Sequence, residues 1–295
     1  MSLNFLIAGV ARCGTTSLFH YLNQHPEIGM SKVKEPKYFS SLDLALPQQG
    51  IGDNTVYARV IRSEKEYDGL FKGLGNFNCI GEGSSDCFYY HEAVIPRIKE
   101  KWGGVKIIVC LRNPVERSYS AYSNLVRDSR EKLSFTEALE QEEDRISKNW
   151  DWMWHYKKGS LYADALAHYQ REFTHVKVVF FEDLEQNPGK SLREVFKFLN
   201  VNEDVVIDVS TKYSQSGKPK NALVSALTSR NNPLVFRIRE FALKTIPRTY
   251  LEKLSSRIYK KGTIDSPTKK KLKLYFKDDI NKLEKLTQRD LSSWK

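Results

Sequence analysis

Three stretches of the chain, residues 4–10, 105–112 and 176–181, are apolar almost without interruption and only as long as a single β-strand. Strands of that kind bury both faces, which points to a parallel sheet covered by helices on either side. Helical periodicity between and after them predicts helices over 15–23, 91–101, 134–147, 160–173 and 187–199. Pro114 fits the first turn of one more helix, where a missing N–H costs nothing. A short strand is expected at 79–82. The alternation implies an α/β fold, a three-layer sandwich with a central parallel β-sheet flanked by helices. After a polar loop at 214–221 the remainder reads as wholly helical. A chain of 295 residues can bury one substantial core. We read 1–295 as a single domain, with an α/β part at 1–222 and a basic helical C-terminal part at 223–295.

The apolar stretches fall well short of the roughly 20 residues of a membrane helix. No signal peptide is visible. The expected location is cytoplasmic, with a lumenal domain trimmed of its anchor as the alternative. The net charge of +11 would suit nucleic acid, an acidic membrane surface or a small polyanion. Its distribution narrows the choice, because residues 233–295 hold 17 basic and 7 acidic side chains, leaving 30 and 29 in the rest. The basic run at 269–273 reads as a solvated helix face, or as a face for an anionic acceptor or membrane. Cys13, Cys79, Cys87 and Cys110 form no CxxC pair and have no nearby His at ligand spacing, so they read as reduced, buried thiols and no metal is expected.

Residues 9–16 follow the first strand and open the first helix with the spacing of a Walker A loop, G-x4-G-K-[ST], but Thr15 stands in the lysine position. That lysine serves the β and γ phosphates of a nucleoside triphosphate, so its absence opposes ATP or GTP hydrolysis. The loop can still cradle an anion on backbone N–H groups and the helix dipole, with Gly14 allowing close approach and Thr15, Thr16 and Ser17 donating. Arg12 supplies a basic group three positions earlier. The plainer alternative is an ordinary strand-to-helix turn. With this loop the expected fold becomes P-loop-like.

Arg112 closes the central strand at the carboxyl edge, where open α/β sheets bind ligands. Ser120 follows about two helical turns later, so both could face one anion. Arg117 between them either helps or points to solvent. Two basic sites suggest a ligand carrying two separate phosphates. Residues 40–54 are poorly periodic and read as a surface loop able to gate a site, with Tyr67 and Phe71 as further parts of a candidate lid. Trp150, Trp152, Trp154, His155 and Tyr156 form a dense aromatic cluster, either a helix start packed on the core or faces for stacking a sugar or lipid-like acceptor. His155 reads as structural.

These residues resemble the sulfotransferases that use 3'-phosphoadenosine 5'-phosphosulfate (PAPS), and the carbohydrate and heparan-sulfate-type branch more than the cytosolic aryl branch. Arg12-Cys13-Gly14-Thr15-Thr16 is similar to that family's R/K-x-G-[ST]-[ST] loop. Residues 112–122 are similar to its R-[ND]-P-x-x-R-x-x-S-x-Y element, and residues 34–39 to its K-E-P-H-F-F stretch. Gly159-Ser160-Leu161-Tyr162, residues 181–184 followed by Asn187-Pro188, and the ending at 290–294 extend the likeness over nearly the whole chain.

The resemblance implies that Arg12, Cys13, Gly14, Thr15, Thr16 and Ser17 hold the 5'-phosphosulfate and that Arg112 and Ser120 hold the 3'-phosphate. Ser216, Gly217, Lys218 and Lys220 would close over the nucleotide. Glu35 would be the catalytic base and Arg12 would neutralise the leaving phosphate. Lys37 would orient the acceptor or neutralise the sulfate. The reaction implied is in-line sulfuryl transfer to the hydroxyl of a sugar, lipid or small natural product, leaving adenosine 3',5'-bisphosphate, with no metal and no nucleic acid. Peripheral membrane contact and oligomeric state stay open. Two departures stand out: Lys37 replaces the branch's His, and Glu82-Gly83-Ser84-Ser85 replaces its E-K-[ST]-P, which argues against a sulfate-rich acceptor. The competing readings are a P-loop phosphotransferase, opposed by Thr15, and a nucleic-acid-binding module, which predicts steeply salt-dependent binding.

Overall fold

The computed structural model describes residues 3–42, 48–57, 60–211, 218–219, 259–260 and 262–295. In it the three apolar stretches become β1 (Phe5–Gly9), β4 (Lys106–Leu111) and β5 (Val176–Phe180). With β2 (Ile28–Met30) and β3 (Cys79–Gly83) they form one parallel sheet in the order β2-β3-β1-β4-β5. β1 is buried throughout and β4 in all but its first residue, which is why neither alternates in polarity.

Among the described residues six longer helices accompany the sheet: α1 (Thr15–Leu22), α2 (His91–Trp102), α3 (Pro114–Arg127), α4 (Ala163–Glu172), α5 (Pro188–Leu199) and α6 (Ser266–Thr287). α3 and α5 start alike, on an Asn-Pro pair. Asn113 accepts from the N–H groups of Val115 and Glu116, Asn187 accepts from that of Lys190, and proline takes the first helical position in both. α6 buries Thr268, Leu272, Phe276, Ile280 and Leu283. Its Asp279 caps α4, accepting from the N–H groups of Tyr162 at 2.8 Å and Ala163 at 3.0 Å. Lys269, Lys270 and Lys271 are exposed, as a solvated helix face requires. Trp294 is buried edge-on against Phe180, at 5.8 Å between ring centres.

Several expectations need correction. The helix expected over 134–147 is two, Phe135–Glu140 and Glu142–Ser147. The break at Gln141 lets Glu142 accept from the N–H groups of Lys157 and Lys158, and lets Arg145 pair with buried Glu131. The helix expected over 160–173 starts at Ala163, after a 3-10 turn at Lys158–Ser160. Nothing in the sequence pattern marks β2, or the helix Phe181–Gln186 that follows β5 directly. Tyr259–Lys260 pairs antiparallel with Lys218–Pro219, so the chain after 221 is not wholly helical.

Of the loop expected over 40–54, residues 40–41 end a short helix and 43–47 lie outside the described residues; 48–54 are not a free surface loop, because Asp53 is fully buried and ion-paired with Arg130. Tyr67 and Phe71 are core residues that pack edge to face rather than parts of a lid. Trp152, Trp154, His155 and Tyr156 are likewise buried. All four cysteines are buried free thiols.

Candidate active site

β1 ends at the centre of the sheet, and the loop after it turns through two left-handed residues, Arg12 (φ 74) and Gly14 (φ 89). Gly14 is the N-cap of α1, and a Cβ there would lie 3.0 Å from the Phe181 ring, so both its dihedral and its surroundings select glycine. No side chain caps α1 and no acidic residue occupies its first turn. Its first N–H groups have no intrahelical acceptors, which makes this end suited to an anion. Thr15 is buried, whereas Thr16 and Ser17 are partly open. Cys13 is fully buried, its sulfur 4.0 Å from the Tyr162 hydroxyl, and burial pushes its thiol up to about 12. Only the backbone of Cys13 can serve a ligand.

The arginines gather beside this loop. Arg12 donates from Nε to Ser120 Oγ at 3.2 Å and from a terminal nitrogen to Asn124 Oδ1 at 3.3 Å. Arg112 lies over the Phe181 ring, 4.6 Å from its centre. Burial, together with the charges of Arg127 and Arg112, lowers Arg12 to about 9. Buried Asp128 opposes the shift, but three neighbouring arginines contribute to it, and positive charge gathered in this way favours an anion. Arg12 and Ser120 are thus in contact, though the sequence assigns them to different phosphates. Arg117 does not point to solvent: it is fully buried beneath the loop. Ser216, Gly217 and Lys220 lie outside the described residues, and Lys218 is described only as strand backbone.

A second group of residues lies past the carboxyl end of β3. The strap after β2 hydrogen-bonds to that strand, Ser31 N to Gly81 O at 2.8 Å and Glu35 N to Gly83 O at 2.9 Å, and carries two left-handed residues, Glu35 and Lys37. The Glu35 carboxylate accepts from Ser85 N and Ser85 Oγ, each at 2.8 Å, and is ion-paired with Lys34. Burial pushes its pKa up, but the Lys34 charge and these hydrogen bonds outweigh it and hold the group below the usual carboxylate range. Lys37 is buried, its ammonium 5.7 Å from the centre of the Trp152 ring.

Two carboxylates that the sequence does not single out sit alongside. Glu82 is fully buried, accepts from the Tyr67 hydroxyl at 3.0 Å, and is raised by burial to about 7. Asp86 is fully buried, bonded by Ser40 Oγ, and raised by burial to about 6. The signal that could find them is their place at the end of a strand adjoining β1. A cavity of about 430 Å³ opens beside Ser85 and Val10, walled by Phe88, Tyr89, Trp152 and Lys158 among others. Among the described residues no group of three or more His, Cys, Asp or Glu could hold a metal ion, and no helix is long and apolar enough to cross a membrane.

A family model described as "Sulfotransferase domain" matches residues 97–282. The crystal structure of a sulfotransferase from Alicyclobacillus acidocaldarius is similar over 100% of this chain and 99% of that one, at 32% identity and a TM-score of 0.79. The membrane-associated sulfotransferase kil1 of Dictyostelium discoideum is 33% identical over 120 residues, 40% of this chain and 22% of that protein. Carbohydrate sulfotransferase 15 of Homo sapiens is 25% identical over 173 residues, 46% of this chain and 30% of that protein. The match therefore spans less than a third of either curated relative.

Proposed function

The chain belongs to the sulfotransferase domain family, and on that premise we propose that it transfers a sulfuryl group from PAPS to an acceptor hydroxyl. The observation that carries this reading is the crowding of Arg12, Arg112 and Arg127 beside an uncapped helix N-terminus, which a ligand with two phosphates would relieve. PAPS, when bound, supplies an activated sulfuryl group with a phosphate as its leaving group. The first-turn N–H groups of α1, with the Thr16 and Ser17 hydroxyls, receive the 5'-phosphate. Arg112 and Ser120 receive the 3'-phosphate, and Arg12 spans the two. Each well-placed donor to a developing anion is worth roughly 3 to 4 kcal/mol of barrier. By the resemblance, Ser216, Gly217, Lys218 and Lys220 also serve the nucleotide, and residues 1–295 act as one domain.

Glu35 takes the acceptor's proton. Ser85 fixes its orientation, and Lys34 keeps it ionised until the proton arrives. Lys34→Met removes the main opponent of burial, so Glu35 titrates at higher pH. The acid limb of kcat/KM, which reports the free enzyme, is expected to move upward, and an unmoved limb would dissociate Glu35 from that limb. The acceptor enters the cavity beside Ser85, where the half-buried Tyr89 ring suits a sugar ring. The likeness to a carbohydrate sulfotransferase supports the same class.

The test is an acceptor screen with labelled PAPS, paired with thermal shifts in adenosine 3',5'-bisphosphate and in ATP with Mg²⁺. Stabilisation by ATP alone would favour a phosphotransferase. Arg112→Ala is expected to weaken bisphosphate binding about ten- to a hundredfold with the fold intact, as loss of a charged hydrogen-bond donor does. Unchanged affinity by titration calorimetry would remove Arg112 from the site.

A further inference from the structure

Arg117 is buried to 1% exposure, yet its guanidinium is held only by neutral acceptors. Nε donates to Ala11 O at 3.1 Å, and one terminal nitrogen donates to Tyr156 O at 3.4 Å and Ser160 Oγ at 3.3 Å. No carboxylate among the described residues pairs with it. The buried Glu142 carboxylate feels its charge without reaching ion-pair contact, and a buried cation lacking such contact favours an anion nearby.

The surroundings are shaped around it. A Cβ on Gly159 would lie 2.7 Å from the guanidinium, so this position must be glycine for Arg117 to sit as it does. Ser118 Oγ and Ser160 Oγ both donate to Tyr156 O at 2.7 Å, which fixes the carbonyl that Arg117 uses. Tyr162 reaches the sulfur of Cys13. The Gly159-Ser160-Leu161-Tyr162 stretch, for which the donor site itself has no use, is thus the floor under the phosphate loop. Arg117 turns the Ala11 carbonyl inward, and its charge reaches the loop: it is the strongest influence opposing the upward push of burial on Cys13.

We propose that Arg117 is a positioning residue for the phosphate loop, drawing the Ala11 carbonyl away from the ligand and setting a positive charge held by no ion pair beneath the 5'-phosphate of the donor. The inference rests on the loop binding that phosphate. It predicts an effect confined to one end of the nucleotide, which a general structural role would not produce.

Calorimetric titrations of adenosine 3',5'-bisphosphate and adenosine 3'-monophosphate into the full chain read this directly. Arg117→Met is expected to weaken the bisphosphate about tenfold or more while leaving the 3'-monophosphate unchanged. Arg117→Lys keeps the charge and is expected to recover most of the loss. Gly159→Ala displaces the guanidinium without altering it, should give the same selective loss, and carries the test if the Met variant does not fold. Equal bisphosphate affinity in these variants, or equal loss for both ligands, would overturn the proposal. A wild-type chain that binds no bisphosphate would overturn it together with the PAPS reading, whereas wild-type binding with undiminished variants would overturn it alone.

Discussion

Glu35→Gln is expected to lower kcat by about a hundred- to ten-thousandfold, the usual worth of a positioned base, without changing the affinity for adenosine 3',5'-bisphosphate. The substitution is nearly isosteric, and its amide oxygen can still accept from Ser85. What it cannot do is accept a proton. Donor affinity should hold because the anion-binding loop hangs from β1 and Arg112 from β4, whereas Glu35 is tied to the end of β3. Turnover with labelled PAPS and calorimetric titration separate the two. Full turnover would move the base to Asp86 or Glu82, whose pKa values burial raises to about 6 and about 7. Both are fully buried, so either would need the cleft to open.

Arg130→Met should cost about 3 to 5 kcal/mol of stability, the range for stripping one partner from a buried ion pair. In a chain of this size that lowers Tm by about 10 °C. Arg130 holds residues 48–57 down by donating to Ile51 O at 2.6 Å and pairing with Asp53. Asp53 also accepts from Gly50 N, Asp151 N and Trp154 Nε1 at 2.9, 2.9 and 3.0 Å, so residues 48–57 and the 3-10 turn Trp152–Trp154 share one carboxylate. Burial, then the Asp151 charge, already raises the Asp53 pKa, and Arg130 opposes them. Without Arg130 the pKa rises further. A carboxyl with a raised folded-state pKa loses stability as pH rises through that value. The deficit is therefore expected to be largest near neutrality and to shrink on acidification, as thermal melts at several pH values would read. Asp53→Asn in the same chain should recover part of it. A loss under about 1 kcal/mol would assign the attachment of residues 48–57 elsewhere.

The parts of the site that are legible in the sequence are those held by local spacing. Residues 12–17 read as an anion loop because strand, glycine and helix follow each other directly. Arg112 and Ser120 read together because both lie at one strand-to-helix junction. Glu35 is identified by resemblance alone, since its hold on Ser85 bridges 50 positions that no periodicity connects. Asp53 and Arg130 are 77 residues apart, and each looks like an ordinary surface charge until the fold buries both. Tyr67 and Phe71 follow a loop rich in turn residues and so suggest a lid, although their packing partners lie on another element, as Trp102 shows. β2 has only three residues, too few for a pattern to stand out. The helix Phe181–Gln186 is hidden because the apolar run of β5 continues into it.

The strand order β2-β3-β1-β4-β5 has a consequence for how the molecule is made. Within this sheet β1 comes earliest in the chain, yet both of its neighbours are encoded later, at 79–83 and 106–111. Until then its edges are open to wrong partners, the state in which parallel sheets are slow to fold and prone to aggregate. The phosphate loop shares that delay, because Val10 N bonds to Cys110 O and the supports of Arg117 extend to Ser160. A nascent chain shorter than this carries the loop's sequence without its shape. Under the proposed function, donor binding is therefore acquired late in synthesis, when the middle of the sheet has closed.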